Sequence, residues 1–556
     1  MATYYIDAVN GDDSLDGLFQ TTEGPGEGPW KTWYNISGAN TSGSISSGDT
    51  VLFKRGETFK RSIVVADYPA VEGNGCWRPS NVSNILFGAY GAGAKPIIDL
   101  DSDVAYDSTY VGYNLAMTNT TFENLNFINS VGRNDLAGHL LTAHNTCNHI
   151  TISYCDFDAR NESGLGNSST KNETFAMSCD DITIDHCTAI GEYPYNRHAF
   201  YIGGANSRIT NNYAKGFGLS GLKFNTGSTD GIISHNTIID AAVAIDVGYC
   251  ANADIFSNVI IQTAVYTSSS ARAIQLESNS SDTQIPTDNK IFNNTIVMNI
   301  GDGISYTLSA YKNDGDWGAD MTNEYANNIV YLYNGSGDQF HWMYGTTGSQ
   351  PQFTNPIPSD HQIYHSVDGA SNWKVQPTIY STLASWRNVP GAPVGFEVNS
   401  IEGDPLFDNH SLNNEDPLAY RILVGSPAIG GGKAVTPNNL LWSEVTDFEG
   451  TLFSTNDIGA FAYIAASGTD PVITVDTYPR ATLVIEASDP ESYQWYKDDV
   501  VISGATLASY LTPQLLSGHD SEYFCRVSGN NTYVDSQSVR VSMDVDCVGI
   551  SYQMIL

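Results

Sequence analysis

HAFYIGGANSRITNNYAKG (198–216), GLSGLKFNTGSTDGIISHNTIID (218–240) and AAVAIDVGYCANADIFSNVII (241–261) are three successive versions of one unit. In each, a short alternating strand (AFYI, GLKF, AIDV) leads through a turn of small residues into a second strand that ends on Asn and a β-branched or apolar residue. A unit repeated at this period, each copy unable to bury its apolar face alone, predicts a solenoid whose coils stack on one another. The same strand ending recurs at Cys155, Cys187, Asn212, Asn236, Asn258, Asn294 and Asn328. The shorter spacings mark bare coils, and the longer ones mark coils that carry loops. The Asn column has a structural explanation: Asn tolerates left-handed turn geometry, and its amide can bond to the coils above and below.

Length and composition agree with this reading. A chain of 556 residues is too long for one compact core and needs either several domains or growth in one dimension. With 51 glycines, 11% aromatic and 15% charged residues, it reads as a folded all-β chain rather than a disordered one. Its 25 basic and 61 acidic residues give a formal charge of -36, which disfavours nucleic acid and anionic membranes as partners. That charge suits a saline, for instance marine, setting, where screening shortens self-repulsion. The start MATYYIDAVNGDDS lacks a basic, apolar signal pattern, and no stretch approaches the roughly 18 apolar residues of a membrane span, so no membrane insertion is expected.

The eight cysteines include two pairs spaced alike, Cys147 with Cys155 and Cys179 with Cys187, as stacked small apolar residues would be. Side chains stacked in columns point the same way, which is poor disulfide geometry, so buried reduced thiols are expected. Reduced thiols in turn fit assembly in a reducing compartment.

Several blocks carry a resemblance to a known superfamily. YYIDAVNGDDSLDG, GPWKTW and SGDTVLFKRGETF resemble the amino-terminal cap and first coil of right-handed parallel β-helix proteins, which include pectate lyases, chondroitinase-B-like lyases and phage tailspikes. NSIEGDPLF, YRILVGSPAIGGG, TDFEG and NDIGAFAY resemble the closing coils of such proteins. The resemblance implies an all-β fold, a single-stranded right-handed parallel β-helix over residues 1–464. Residues 1–60 would be the cap and first coil, with a cover expected from 31–40, and 335–464 would be irregular closing coils with a short helix in IYSTLASWRN. Residues 465–471 read as a linker. Beyond it, 472–545 resembles an immunoglobulin-like sandwich, followed by a tail at 546–556. Trp495 would be its core tryptophan and Tyr523, two before Cys525, its tyrosine corner, while Ile485 stands where the usual partner cysteine would be.

Aligning the strands FYI, LKF, IDV, IQL and ISY puts Tyr201, Lys223, Asp246, Gln275 and Ser305 in one outward column, with Asn225, Glu277 and Thr307 two residues further on. His198, Arg272 and Asp302 precede these strands at corners. A cation, carboxylates and an aromatic along one face suit a polysaccharide lying across the coils. In a lyase, Lys223, Tyr201 or His198 would take a proton and Arg272 would neutralise a uronate. Asp246 beside Lys223 weighs against the lysine as base, because an opposite charge raises its pKa. In a glycosidase, Asp246 and Glu277 would be acid and base. Asn225, Gln275, Trp342, Tyr344 and Trp373 are candidate substrate contacts, the aromatics by stacking on sugar rings, with core packing of the closing coils as the alternative for the aromatics. Asn10, Asp12 and Asp16 in NGDDSLDG are candidate ligands for calcium, though an Asp-rich turn explains them equally.

The expected function is a virion-associated, tailspike-like protein that binds and depolymerises a cell-surface polysaccharide, located on a virion or extracellularly. Through the resemblance, a homotrimer and other virion proteins are expected partners. A secreted bacterial polysaccharide lyase or glycoside hydrolase, and a non-catalytic structural, decoration or adhesion protein, are the alternatives.

Overall fold

The computed structural model describes residues 1–36, 45–61, 82–99, 110–111, 117–128, 130, 140–143, 147–160, 175–192, 198–225, 227–248, 250–263, 271–278, 286–299, 306–312, 322–333, 339–345, 357–367, 372–375, 378–411, 413–453 and 456–463, and, further on, 472–477, 481–486, 492–498, 500–507, 509–511, 520–529, 532–535, 538–543 and 550–555. Cys76, Cys547, Asp302, Ser305 and the linker 465–471 lie outside these residues, as do the side chains of Trp342 and Tyr344.

The chain winds through three strands per coil, as in Ile182–Asp185, Thr188–Ile190 and His198–Gly203, before returning at Arg208–Thr210. Equivalent strands of successive coils pair in parallel, one set forming a twelve-stranded sheet and the other two a continuous second sheet. This is a right-handed, single-stranded parallel β-helix. Its interior is built of columns: Ile152, Ile184, Ile209, Ile233, Ile255, Ile291 and Tyr325 face one another in register and are all essentially inaccessible to solvent. Phe127 stacks on Phe157 at 5.3 Å and Phe256 on Phe292 at 5.1 Å, so identical side chains repeat the inter-coil spacing.

The anchor residues form a continuous ladder inside one corner. The amides of Asn212, Asn236, Asn258 and Asn294 each donate to the side-chain oxygen of the next, ending on Asn328, and Gln362 continues the series. Cys187 enters the same ladder, its N–H donating to Asn212 Oδ1. The left-handed conformation falls one residue earlier than expected, at Tyr154, His186, Asn211, His235, Ser257, Asn293, Asn327 and His361. The two tasks are divided: one residue turns the backbone, and the next buries its amide to satisfy the corner. The described cysteines, Cys147, Cys155, Cys179, Cys187, Cys250 and Cys525, are buried and free, as the columns imply.

At the amino terminus Trp30 is buried, bridges to Ile6 and stacks on Tyr4 at 4.6 Å. Residues 31–36 form turns, with Trp33 and Ile36 packed into the core, and the described part of the expected cover contains no helix. At the other end parallel coils continue past 335, with Gln339–Gly345, Ile363–Ser366, Asn372–Val375 and Ile401–Glu402 each pairing in parallel with the coil before, but irregularly: the register shifts between Gln339 and His341, and Thr378–Tyr380 pairs antiparallel with Asn372–Val375. The expected helix is there, at Leu383–Trp386, capped by Thr382. The described residues of 403–421 and 426–461 differ from closing coils. They lie against the outside of the coils as a strap: His410 bonds to Tyr333 and Glu415 pairs with Lys215 on the second sheet, while on the twelve-stranded sheet Lys433 pairs with Glu324, the Asn438 and Asn439 N–H groups donate to Asp254, and the Asn293 amide donates to the Asp457 carbonyl.

The carboxy-terminal unit contains two antiparallel sheets. Ala481–Glu486, Ser492–Lys497 and Asp520–Gly529 are strands as expected, and Trp495, Tyr523 and Cys525 are wholly buried. Trp495 faces Cys525 across the sheet and donates from Nε1 to the Leu507 carbonyl at 2.9 Å. The expected tail contains a strand: Ile550–Ile555 pairs with Ser538–Met543. No helix among the described residues is long and apolar enough to cross a membrane.

Candidate active site

The strands His198–Gly203, Tyr213–Phe224, Thr237–Gly248, Arg272–Ser278 and Tyr306–Lys312 lie side by side on one face of the coils. Their inward positions are apolar: Phe200, Leu222, Ile245, Ile274 and Leu308 share one register and are buried. That burial fixes the phase of the alternation and so places Tyr201, Lys223, Asp246 and Gln275 on the outer side, in register as expected. The next member is Ser309 rather than Ser305, and Thr307 is buried with its hydroxyl donating to the Phe340 carbonyl. A slip of four residues preserves alternation, so the period-2 pattern of ISYTLS does not distinguish the two registers.

Lys223 is the centre of the group. Its Nζ donates to Asp246 Oδ2 at 2.7 Å, lies 3.5 Å from Glu277 Oε2, and stands 5.8 Å from the centre of the Tyr201 ring. Ser220, a residue that the strand pattern alone does not single out, donates to the same Asp246 oxygen at 3.3 Å. The side chains are 12% exposed for Lys223, 4% for Asp246 and 27% for Glu277, so Glu277 is the acid that meets solvent. Burial opposes the lysine's charge, but the two carboxylates outweigh it and hold the ammonium above the ordinary lysine range. Burial, with the Asp246 charge, pushes Glu277 above the ordinary carboxyl range, against the pull of Lys223 and Arg272. An ammonium held this firmly is a charge anchor and a poor proton acceptor.

The corner residues join the group. His198 and Arg272 occupy equivalent strand positions, with Ser220 and Val243 between them in the register. The buried His198 ring packs 5.1 Å from Tyr201, and the Arg272 guanidinium donates to the side-chain oxygen of Gln275, which turns it toward the outer column. Asn225 follows Phe224 at the strand end, half-buried, with its N–H on the Ile202 carbonyl. Trp373 is not available to a sugar: it is wholly buried against Phe340 and Tyr364, where its bulk fills the coil interior.

The amino-terminal acidic turn is used locally. Asn10 caps onto Asp7, Asp12 accepts from Ser14, and Asp16 accepts from the Leu18 and Gly28 N–H groups. Among the described residues no group of three His, Cys, Asp or Glu side chains is arranged to hold a metal ion.

A second concave surface was not expected. Where the strap turns at 446–452 it leaves a cleft of 370 Å³ against the twelve-stranded sheet, lined by Arg208, Asn211, Ser234 and His235 on the coils and Glu444 and Glu449 on the strap. Nothing in the repeat pattern marks it, because its two walls are over 200 residues apart in sequence.

No protein family and no curated protein matches this chain. Among solved structures it is similar to a GH136 lacto-N-biosidase from Eubacterium ramulus (TM-score 0.42, 14% identity, 72% of this chain and 67% of that one). It is also similar to a mannuronic acid specific polysaccharide family 6 lyase from human gut microbiota (0.35, 12%, 64% and 81%). A third is a tailspike protein mutant of E. coli bacteriophage HK620 in complex with a pentasaccharide (0.35, 10%, 89% and 81%). At these identities and TM-scores the likeness assigns no residue a role.

Proposed function

We propose that this chain binds a polysaccharide along the outer face around Lys223 and cleaves it there, with Glu277 as the proton donor. The observation that carries the reading is one lysine shared by two carboxylates, of which the more exposed, Glu277, has its pKa raised. A carboxyl kept protonated beside an anionic one is the arrangement glycoside hydrolysis needs. Glu277 gives its proton to the glycosidic oxygen, the bond from that oxygen to the anomeric carbon breaks, and water adds to the carbon while its proton restores the carboxyl. Asp246 acts through its charge, which helps raise the Glu277 pKa, and Lys223 holds both side chains in place.

A lyase reading is favoured by a different observation, the Arg272 and Lys223 cations on the same face, which would neutralise a uronate while Tyr201 or His198 takes the proton. Incubation with uronate-containing and neutral glycans separates the two: new reducing ends without unsaturation support hydrolysis, and unsaturated ends support elimination. If no glycan yields a product, and Lys223→Ala and Asp246→Ala bind as the wild type does, the site is not catalytic.

In this reading the protein works on a virion or outside the cell, as a tailspike-like fibre or a secreted enzyme, and the carboxy-terminal unit serves attachment through an immunoglobulin-like fold. Mass spectrometry of purified particles and of culture medium tests the setting.

A further inference from the structure

We infer that the cleft between Arg208 and the strap is a second saccharide site, specific for a sugar unit bearing a single acid group. The inference goes beyond the proposed cleavage and stands even if the Lys223 face has no activity.

The cleft has the dimensions of a ligand site, 370 Å³ against the usual range of about 300–1,000 Å³. Its walls are held before any ligand arrives. His235 Nε2 is bonded to Thr446 Oγ1 at 2.9 Å, Ser257 Oγ donates to the Thr446 carbonyl at 2.7 Å, and Asp447 Oδ1 accepts from the Glu449 and Thr451 N–H groups. Arg421 grips both oxygens of Glu449 from behind. A wall fixed in this way costs little ordering on binding.

The charges select the ligand. The exposed Arg208 side chain makes no hydrogen bond or ion pair among the described residues, although the chain carries a formal charge of -36 and two glutamates line the same cleft. Burial holds His235 in its neutral form, so Arg208 is the cation that a ligand meets. A guanidinium fork takes one carboxylate or sulfate in two parallel hydrogen bonds. Glu444, which is in no ion pair among the described residues, repels a multiply charged anion such as a phosphate ester, but its carboxylate accepts from hydroxyls, as do Ser234 and Asn211. One acid group among many hydroxyls is the chemistry of an acidic sugar residue within a glycan.

The test is retention of the full chain on uronate-, sialate- and sulfate-bearing oligosaccharides, each beside a matched neutral one, for wild type, Arg208→Ala and Arg208→Lys. At least one acidic oligosaccharide should be held more tightly than its neutral match. Arg208→Ala should weaken that binding roughly tenfold or more, and Arg208→Lys less. The melting temperature of Arg208→Ala confirms that the fold is kept. Equal retention of acidic and neutral glycans, or affinity that survives Arg208→Ala, overturns the inference.

Discussion

Lys223 Nζ and Asp246 Oδ2 are 2.7 Å apart in neighbouring coils, and neither side chain is more than 12% exposed. A pair this buried is costly to break from one side, because the remaining charge stays out of water. Asp246→Ala should lower stability by about 3–5 kcal/mol, whereas the double change Lys223→Met with Asp246→Leu should cost much less. Urea unfolding at pH 7 gives both values, and equal losses in the single and double variants would contradict the coupling.

Glu277→Gln should abolish any glycan cleavage, lowering the rate by about 100-fold or more, with glycan affinity retained. In the wild type the proton donor is present below the raised pKa of Glu277 and is lost as pH rises through it, so the rate should fall on the alkaline side. Rates across pH with a cleaved oligosaccharide measure this. An alkaline limb that persists in residual Glu277→Gln activity would assign it to another group.

Asn258 is bonded on every side. Its amide donates to the Ile233 and Phe256 carbonyls and to Asn294 Oδ1, and its oxygen accepts from the Asn236 N–H and amide. Asn258→Ala strands several buried polar groups, each worth about 1–3 kcal/mol. Thermal and urea unfolding should show a loss beyond the removed side chain's volume, and Asn258→Asp should also be poorly tolerated because it deletes the donor.

Ile255 lies in the interior column between Ile233 and Ile291 with no exposed surface. Ile255→Ala should cost about 2–5 kcal/mol, since rigid coils on both sides limit collapse into the cavity. Equilibrium unfolding checks this value.

His235 joins the coils to the strap. Burial lowers its pKa, against the Thr446 and Asp447 backbone contacts and the Asp185 charge that favour the proton. The unfolded chain takes up this proton near pH 6.5, so the stability due to neutral His235 is present above that and is lost as pH falls through the lowered folded value. His235→Gln should therefore reduce the drop in melting temperature between about pH 7 and 5. An identical drop in both proteins would assign the pH dependence to other groups.

The sequence by itself determined the β-helix, its inward columns and the outer order Tyr201, Lys223, Asp246, Gln275, because a side-chain period of two and a recurrent Asn anchor are local properties that each coil repeats. It also gave reason to expect reduced thiols, as the described cysteines are, and the short helix at Leu383–Trp386. What followed a long loop was less legible: Ser309, not Ser305, joins the column because alternation is blind to an even slip, and only pairing with the previous coil chooses the register. Tertiary structure alone decided that residues 426–453 fold against the coils as a strap, that Ser220 meets Asp246, that Trp373 is interior, and that Arg208 and Glu444 line one cleft. Those relations join residues far apart in the chain, and no local periodicity records them. The face at Lys223 was readable because the repeat itself writes it, whereas the cleft exists because a segment outside the repeat folds against it.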